Sequence, residues 1–155
     1  MVIKEQVEIQ APKEVIWQVI TDIENSVDNI TGIEKVEILE QPAEGLVGLK
    51  WRETRTLFGS TATEVMWITE AVENEFYQTR AESHGAVYIS RMYIAESDGK
   101  NFLAMEFQSR PQSFGAKLMG ALMGWMMKGS TAKALQQDLQ DIKAVVEKGQ
   151  QAAAA

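Results

Sequence analysis

The sequence predicts an α+β domain in the order strand, helix, helix, six antiparallel strands, long helix. Three observations carry that expectation: a strictly alternating start, a series of β-type runs separated by turn dipeptides, and an apolar stripe at helical spacing over the last forty or so residues. With 155 residues a single domain is the natural count, placed at residues 1–149, with a flexible tail at 150–155.

Val2 to Gln10 alternates, with Ile3, Val7 and Ile9 on one side and Lys4, Gln6 and Glu8 on the other, which predicts a half-buried strand. Ala11-Pro12-Lys13-Glu14 starts a helix, because Pro at the first helical position loses no needed donor and Glu14 suits the positive end of the dipole. Val15, Ile16, Val19, Ile20 and Ile23 form its buried stripe. Ser26 is placed to cap a short second helix through Ile30, stopped by Thr31-Gly32.

Strands follow at roughly Val36 to Glu40, Val47 to Leu57, Thr63 to Val72, Phe76 to Ser83, Val87 to Glu96 and Phe102 to Arg110. Gly59-Ser60, Glu73-Asn74, His84-Gly85 and Asp98-Gly99 each fit a two-residue hairpin turn, and Pro111 ends the last strand. Counting back from each turn sorts the faces. One face carries Leu49, Trp51, Glu53, Arg55, Glu64, Met66, Ile68, Tyr77, Thr79, Ala81, Tyr88, Ser90, Met92, Ile94, Leu103, Met105 and Phe107; the other carries mostly Lys, Arg, Thr, Glu and Gln. The same counting sets Arg55 opposite Glu64, and Arg52 opposite Trp67 as a cation over an indole. A three-residue loop at Glu73-Asn74 would instead turn Val65, Trp67 and Thr69 inward.

The last helix spans Phe114 to Lys148, with Leu118, Leu122, Trp125, Gly129, Ala132, Leu135, Leu139, Ile142 and Val146 on one stripe. Its first half is unusual. Met119, Met123, Met126 and Met127, half of the chain's eight Met, are interleaved with Gly115, Gly120, Gly124 and Gly129. Interior Gly weakens a helix and Met adapts its shape, so this half reads either as an ordinary core helix or as a deformable cavity wall. Asp138 and Asp141 read as solvated residues of the outer face.

Composition excludes several functions. The 15 Lys and Arg against 22 Asp and Glu leave a net charge of -7, which argues against nucleic acid and anionic membrane surfaces as partners. Zero Cys removes disulfides and thiolate chemistry and fits a reducing compartment, and with no basic, apolar start the cytoplasm is the expected location. The single His84 falls at a turn, so neither a multi-histidine metal site nor a Ser-His-Asp set can be built. No Gly-rich phosphate loop is present, and no cofactor or metal is expected. Leu118 to Met127 is too short a run to span a bilayer, so stable membrane insertion is not expected.

Ile9-Gln-Ala-Pro12-Lys-Glu14-Val-Ile-Trp17-Gln-Val-Ile-Thr-Asp22 resembles the opening of the START-related superfamily, also described as the birch-pollen-allergen and polyketide cyclase type, and Gly45-Leu-Val-Gly48-Leu-Lys-Trp51 followed by Gly59 is similar to its second and third strands. The resemblance covers Val2 to Lys148. It implies the helix-grip architecture, a curved seven-stranded antiparallel sheet around the C-terminal helix with a cavity between them. The lining expected from the inner face is Trp51, Glu53, Arg55, Glu64, Met66, Tyr77, Thr79, Tyr88, Met92, Met105 and Phe107, closed by Met119, Leu122, Met123 and Met126 from the helix.

A small hydrophobic or amphipathic ligand, such as a lipid, quinone or polyketide, is the expected occupant. Arg55 with Glu53 and Glu64 reads as a salt bridge at a wet cavity mouth or as an anchor for a carboxylate, phenolate or phosphate, with a glutamate available as base. An enzymatic alternative follows from the superfamily's cyclases and aromatases and would use Glu53, Arg55, Tyr77 and Tyr88. A protein partner is a third reading.

Overall fold

The computed structural model describes residues 1–57 and 59–154; the side chains at 57, 121–123 and 125–127 also lie outside the described residues. The elements are β1 (Val2–Ile9), α1 (Lys13–Thr21), α2 (Ser26–Asn29), β2 (Ile33–Glu40), β3 (Lys50–Leu57), β4 (Ser60–Val72), β5 (Phe76–Ser83), β6 (Ala86–Ser97), β7 (Lys100–Pro111) and α3 (Phe114–Ala154). One seven-stranded antiparallel sheet runs β1-β7-β6-β5-β4-β3-β2. Consecutive hairpins build it from β2 to β7, and β1 then pairs with β7, which brings the first and last strands together at one edge.

Turn chemistry sets the registers. His84 and Gly85, then Asp98 and Gly99, all adopt positive φ, the pattern of two-residue turns whose twist matches the flanking strands. Ser90 therefore faces Thr79 on one side and Phe107 on the other, as the sequence predicts. Gly85 is required twice over, because a Cβ there would also lie 2.9 Å from the Ser113 hydroxyl where α3 begins. Ser113 caps that helix, its Oγ accepting from the Ala116 N–H at 3.1 Å.

Two registers differ from the expected ones. Leu57 pairs with Ser60, so the β3–β4 turn is one residue earlier than Gly59-Ser60 and every pair shifts by two. Glu64 consequently faces Glu53, not Arg55, and it is Lys50 that faces Trp67, its Nζ 5.7 Å from the indole centroid. Faces survive because the shift is even. Between β4 and β5, Val72 pairs with Phe76 around a three-residue loop, and an odd shift of this kind would turn β4 inside out. A bulge at Thr69 restores the count: Ile68 pairs with Thr79, Met66 with Ala81, and Ile68 is fully buried.

The helices differ in detail from expectation. Pro12 is the residue before α1, one place outside the helix. Ser26 does not cap α2; it is the first residue of that helix, and its hydroxyl donates to the Ile23 carbonyl at 2.6 Å. The helix α3 is continuous through Gly129 and extends to Ala154, past residue 149. Its Leu139, Ile142 and Val146 pack with Val7 and Ile9 of β1, Ile16, Trp17 and Ile20 of α1, and Trp51, Ile68, Met92 and Leu103 of the sheet. That core occupies one end of the inner face and leaves a hollow beside it.

Candidate functional site

The hollow is a cavity of about 330 Å³ between the inner face of the sheet, α1, α2 and the C-terminal half of α3. Most of its wall is apolar: Val19, Ile20, Ile23, Ile30, Ile33, Trp51, Met66, Met92, Met105, Phe107, Leu135 and Ile142. The volume is at the small end of ligand pockets, which run from roughly 300 to 1,000 Å³.

Nine of the expected lining residues meet there: Trp51, Glu53, Arg55, Met66, Tyr77, Thr79, Met92, Met105 and Phe107. Glu64 and Tyr88 do not. They lie nearer the Gly85 turn, where Glu64 accepts from the Ser83 hydroxyl at 3.1 Å and Tyr88 stacks on Phe107 with centroids 5.9 Å apart. Met119 is also outside the cavity, 55% exposed, with Leu118 at 52% and Phe114 at 82%. The expected contributions of Leu122, Met123 and Met126 fall on side chains outside the described residues. Among the described residues, the helical wall is Thr131, Ala134, Leu135, Asp138 and Ile142, from the half of α3 that follows the Met-rich stretch.

Asp138 differs from its expected place. It is 4% exposed on the inner side of α3, not on the outer face. The signal was present: Leu135, Asp138 and Ile142 are spaced three and four residues apart, which puts the carboxylate within the apolar stripe. An isolated charge there would be expensive, and Arg55 reaches across from β3 to meet it.

Arg55 holds two carboxylates. Its Nη1 donates to Asp138 Oδ2 at 2.8 Å and its Nε to Glu53 Oε1 at 2.9 Å, while Trp51 Nε1 donates to Glu53 Oε2 at 3.3 Å. Burial works against the guanidinium charge, but Asp138 and Glu53 together outweigh it and raise the Arg55 pKa. The Asp138 carboxyl is also pushed up, first by burial, with Glu53 and Asp141 adding to it and Arg55 only partly offsetting them. Both directions follow from one guanidinium shared between two acids.

Tyr77, held edge-on against Trp17 with centroids 6.3 Å apart, is pushed far up by burial and then by the charges of Glu53 and Asp138. Its phenol stays protonated and can donate. Tyr77 and Thr79 are each over nine-tenths buried and have no side-chain hydrogen bond among the described residues, yet no fully enclosed polar atom lacks a partner. Their hydroxyls therefore touch the open space of the cavity. Among the described residues no group of three or more His, Asp or Glu is placed to hold a metal ion, and no helix is long and apolar enough to cross a membrane.

The fold is similar to that of a START superfamily protein from Mycobacterium smegmatis, with 17% identity, a TM-score of 0.77, and 95% of this chain and 97% of that one covered. An aromatase/cyclase from a Streptomyces species is similar at 19% identity and a TM-score of 0.75, over 96% of this chain and 94% of that one. A major latex-like protein from Panax ginseng matches at 14% identity and a TM-score of 0.74, over 93% and 95%. No protein of curated function matches the sequence. At the level of sequence, the family described as polyketide cyclase/dehydrase and lipid transport matches residues 1–147, nearly the whole length, and the chain belongs to that family.

Proposed function

We propose that this protein binds one small hydrophobic or amphipathic molecule in the cavity between the sheet and α3, for carriage or sequestration. The observation that carries the reading is the pairing of a mostly apolar wall with a few polar groups: the Tyr77 and Thr79 hydroxyls, without side-chain hydrogen bonds among the described residues, in the same lining as the Glu53–Arg55–Asp138 cluster. An apolar body would bury against the methionines and isoleucines while its polar end meets the hydroxyls. The cysteine-free composition suits a reducing compartment, and the cytoplasm is the location that goes with this reading.

Binding is favoured over catalysis. Tyr77, held protonated, is unsuited to act as a base, and Tyr88, the other phenol proposed for an enzyme, is not part of the cavity lining. Asp138 favours the second reading, a cyclase-like enzyme, since a buried carboxyl with a raised pKa is a group that could move a proton. Native mass spectrometry of gently purified protein, followed by titration with a neutral fluorescent apolar probe, tests the first reading. The expected result is one small molecule per chain, or saturable binding of the probe with displacement by lipids. Absence of both would sink it, and turnover abolished in Asp138→Asn with unchanged affinity would favour the enzyme.

A further inference from the structure

The charges in the cavity are not balanced. Glu53 and Asp138 bring two carboxylates to the single Arg55 guanidinium, leaving one negative charge in excess. The other cation along the lining, Arg91, directs its guanidinium to the opposite side of the sheet, 4.4 Å from the Phe76 ring centroid and 3.6 Å from Glu70. It offers nothing to the interior. Exposure is low at all three members of the cluster, with side chains 11%, 21% and 6% exposed for Glu53, Arg55 and Asp138, so water screens the excess weakly.

The acceptors are also unevenly used. Asp138 gives one oxygen to Arg55, and its second oxygen has no hydrogen bond among the described residues. Because no fully enclosed polar atom among the described residues lacks a partner, that oxygen too is open, and Asp138 lines the cavity together with Tyr77 and Thr79, whose hydroxyls make no side-chain hydrogen bond among the described residues. An incoming anion would find Arg55 already engaged by two acids and would add a third negative charge. An incoming ammonium would find a free carboxylate oxygen, two hydroxyl oxygens able to accept, and a net charge that it neutralises.

We infer that the polar end of the ligand is a protonated amine: the cavity is a site for an apolar molecule carrying one primary or secondary ammonium group, seated against Asp138 Oδ1, with the Tyr77 and Thr79 hydroxyls in the same lining. The inference rests on the ligand-binding reading above and reverses the expectation that Arg55 anchors an anion. No bond is made or broken in this step. The site selects by charge and by hydrogen-bond direction.

Calorimetric titration of the full chain with decylamine, decan-1-ol and decanoate, equal in apolar length and different in head group, tests it. Wild-type protein is expected to bind decylamine at least about tenfold more tightly than decan-1-ol, with decanoate weakest. In Asp138→Asn, which keeps an acceptor for Arg55, the advantage of the amine over the alcohol should fall below about threefold, and Glu53→Gln should reduce it in the same direction. The wild-type ranking decides the matter even if a variant fails to fold. Decanoate binding most tightly, or all three within about threefold, would overturn the inference. So would binding of neutral N-phenylnaphthylamine by a protein that takes none of the three, in which case the cavity reading survives alone. If that probe is not bound either, the cavity reading falls and this inference with it.

Discussion

Leu118 and Leu139 belong to the same helical stripe of α3, yet Leu118 is 52% exposed and Leu139 is 0%. The C-terminal half of the helix is tied down repeatedly. Lys143 donates to the Glu8 carbonyl at 2.8 Å, Glu147 accepts from the Gln10 N–H at 2.8 Å, Asp141 accepts from the Thr31 N–H at 2.9 Å, and Asp138 accepts from Arg55. The first turns of the helix are held by the Ser113 cap and expose Phe114, Leu118 and Met119. Periodicity states which residues share a face of a helix; whether anything covers that face depends on what the rest of the chain brings to it.

Four substitutions sharpen or break this contrast. Leu139→Ala should be the most damaging, costing about 2–5 kcal/mol in urea unfolding, since Leu139 is fully enclosed by β1, α1 and the sheet. Arg55→Ala follows, at about 3 kcal/mol, the low end for breaking a buried pair because the side chain keeps 21% exposure. A loss below about 1 kcal/mol would mean that the cluster does not fasten the helix to the sheet.

Asp138 supplies a pH test of the same attachment. Its folded pKa is raised, so the native state holds the proton longer than the unfolded chain does. The stability this contributes is complete below the ordinary aspartate range and is lost as pH rises through the raised value. Stability of wild type minus that of Asp138→Asn should therefore decline as pH rises from the ordinary aspartate range through the raised folded value, measured by urea unfolding at each pH. A difference that grows with pH would refute the direction. At the other end of the scale, Leu118→Ala should change stability by no more than about 0.5 kcal/mol. A cost of 2 kcal/mol or more, roughly that of a core leucine, would mean that the first half of α3 is covered after all.

The sheet was legible because turn residues carry their own geometry. Asp98-Gly99 and His84-Gly85 predicted pairings that occur residue for residue, and the inner face followed from them. Gly59 was ambiguous, since either neighbour completes a two-residue turn, and the choice moved Arg55 away from Glu64. Asp138 was missed for a different reason: a carboxylate within an apolar stripe reads as an outward residue unless its partner is known, and Arg55 is 83 residues away in the chain. Met119 was misjudged because composition suggests what a wall could be made of, not where the wall stands.

The three-residue loop between β4 and β5 and the bulge at Thr69 offset one another in register, so that beyond the bulge the residues pair as they would across a two-residue turn at Glu73-Asn74. Deleting one residue from positions 73–75 would leave Val72 paired with Phe76 across a two-residue turn, and deleting Thr69 would let Ile68 and Glu70 pair in step with Thr79 and Gln78, so either change alone keeps Met66 and Ile68 on the inner face. A homologue one residue shorter at the tip, or one without the irregularity further down the strand, is therefore expected to keep the same residues inward, because the pairs and not the length of chain between them set the face.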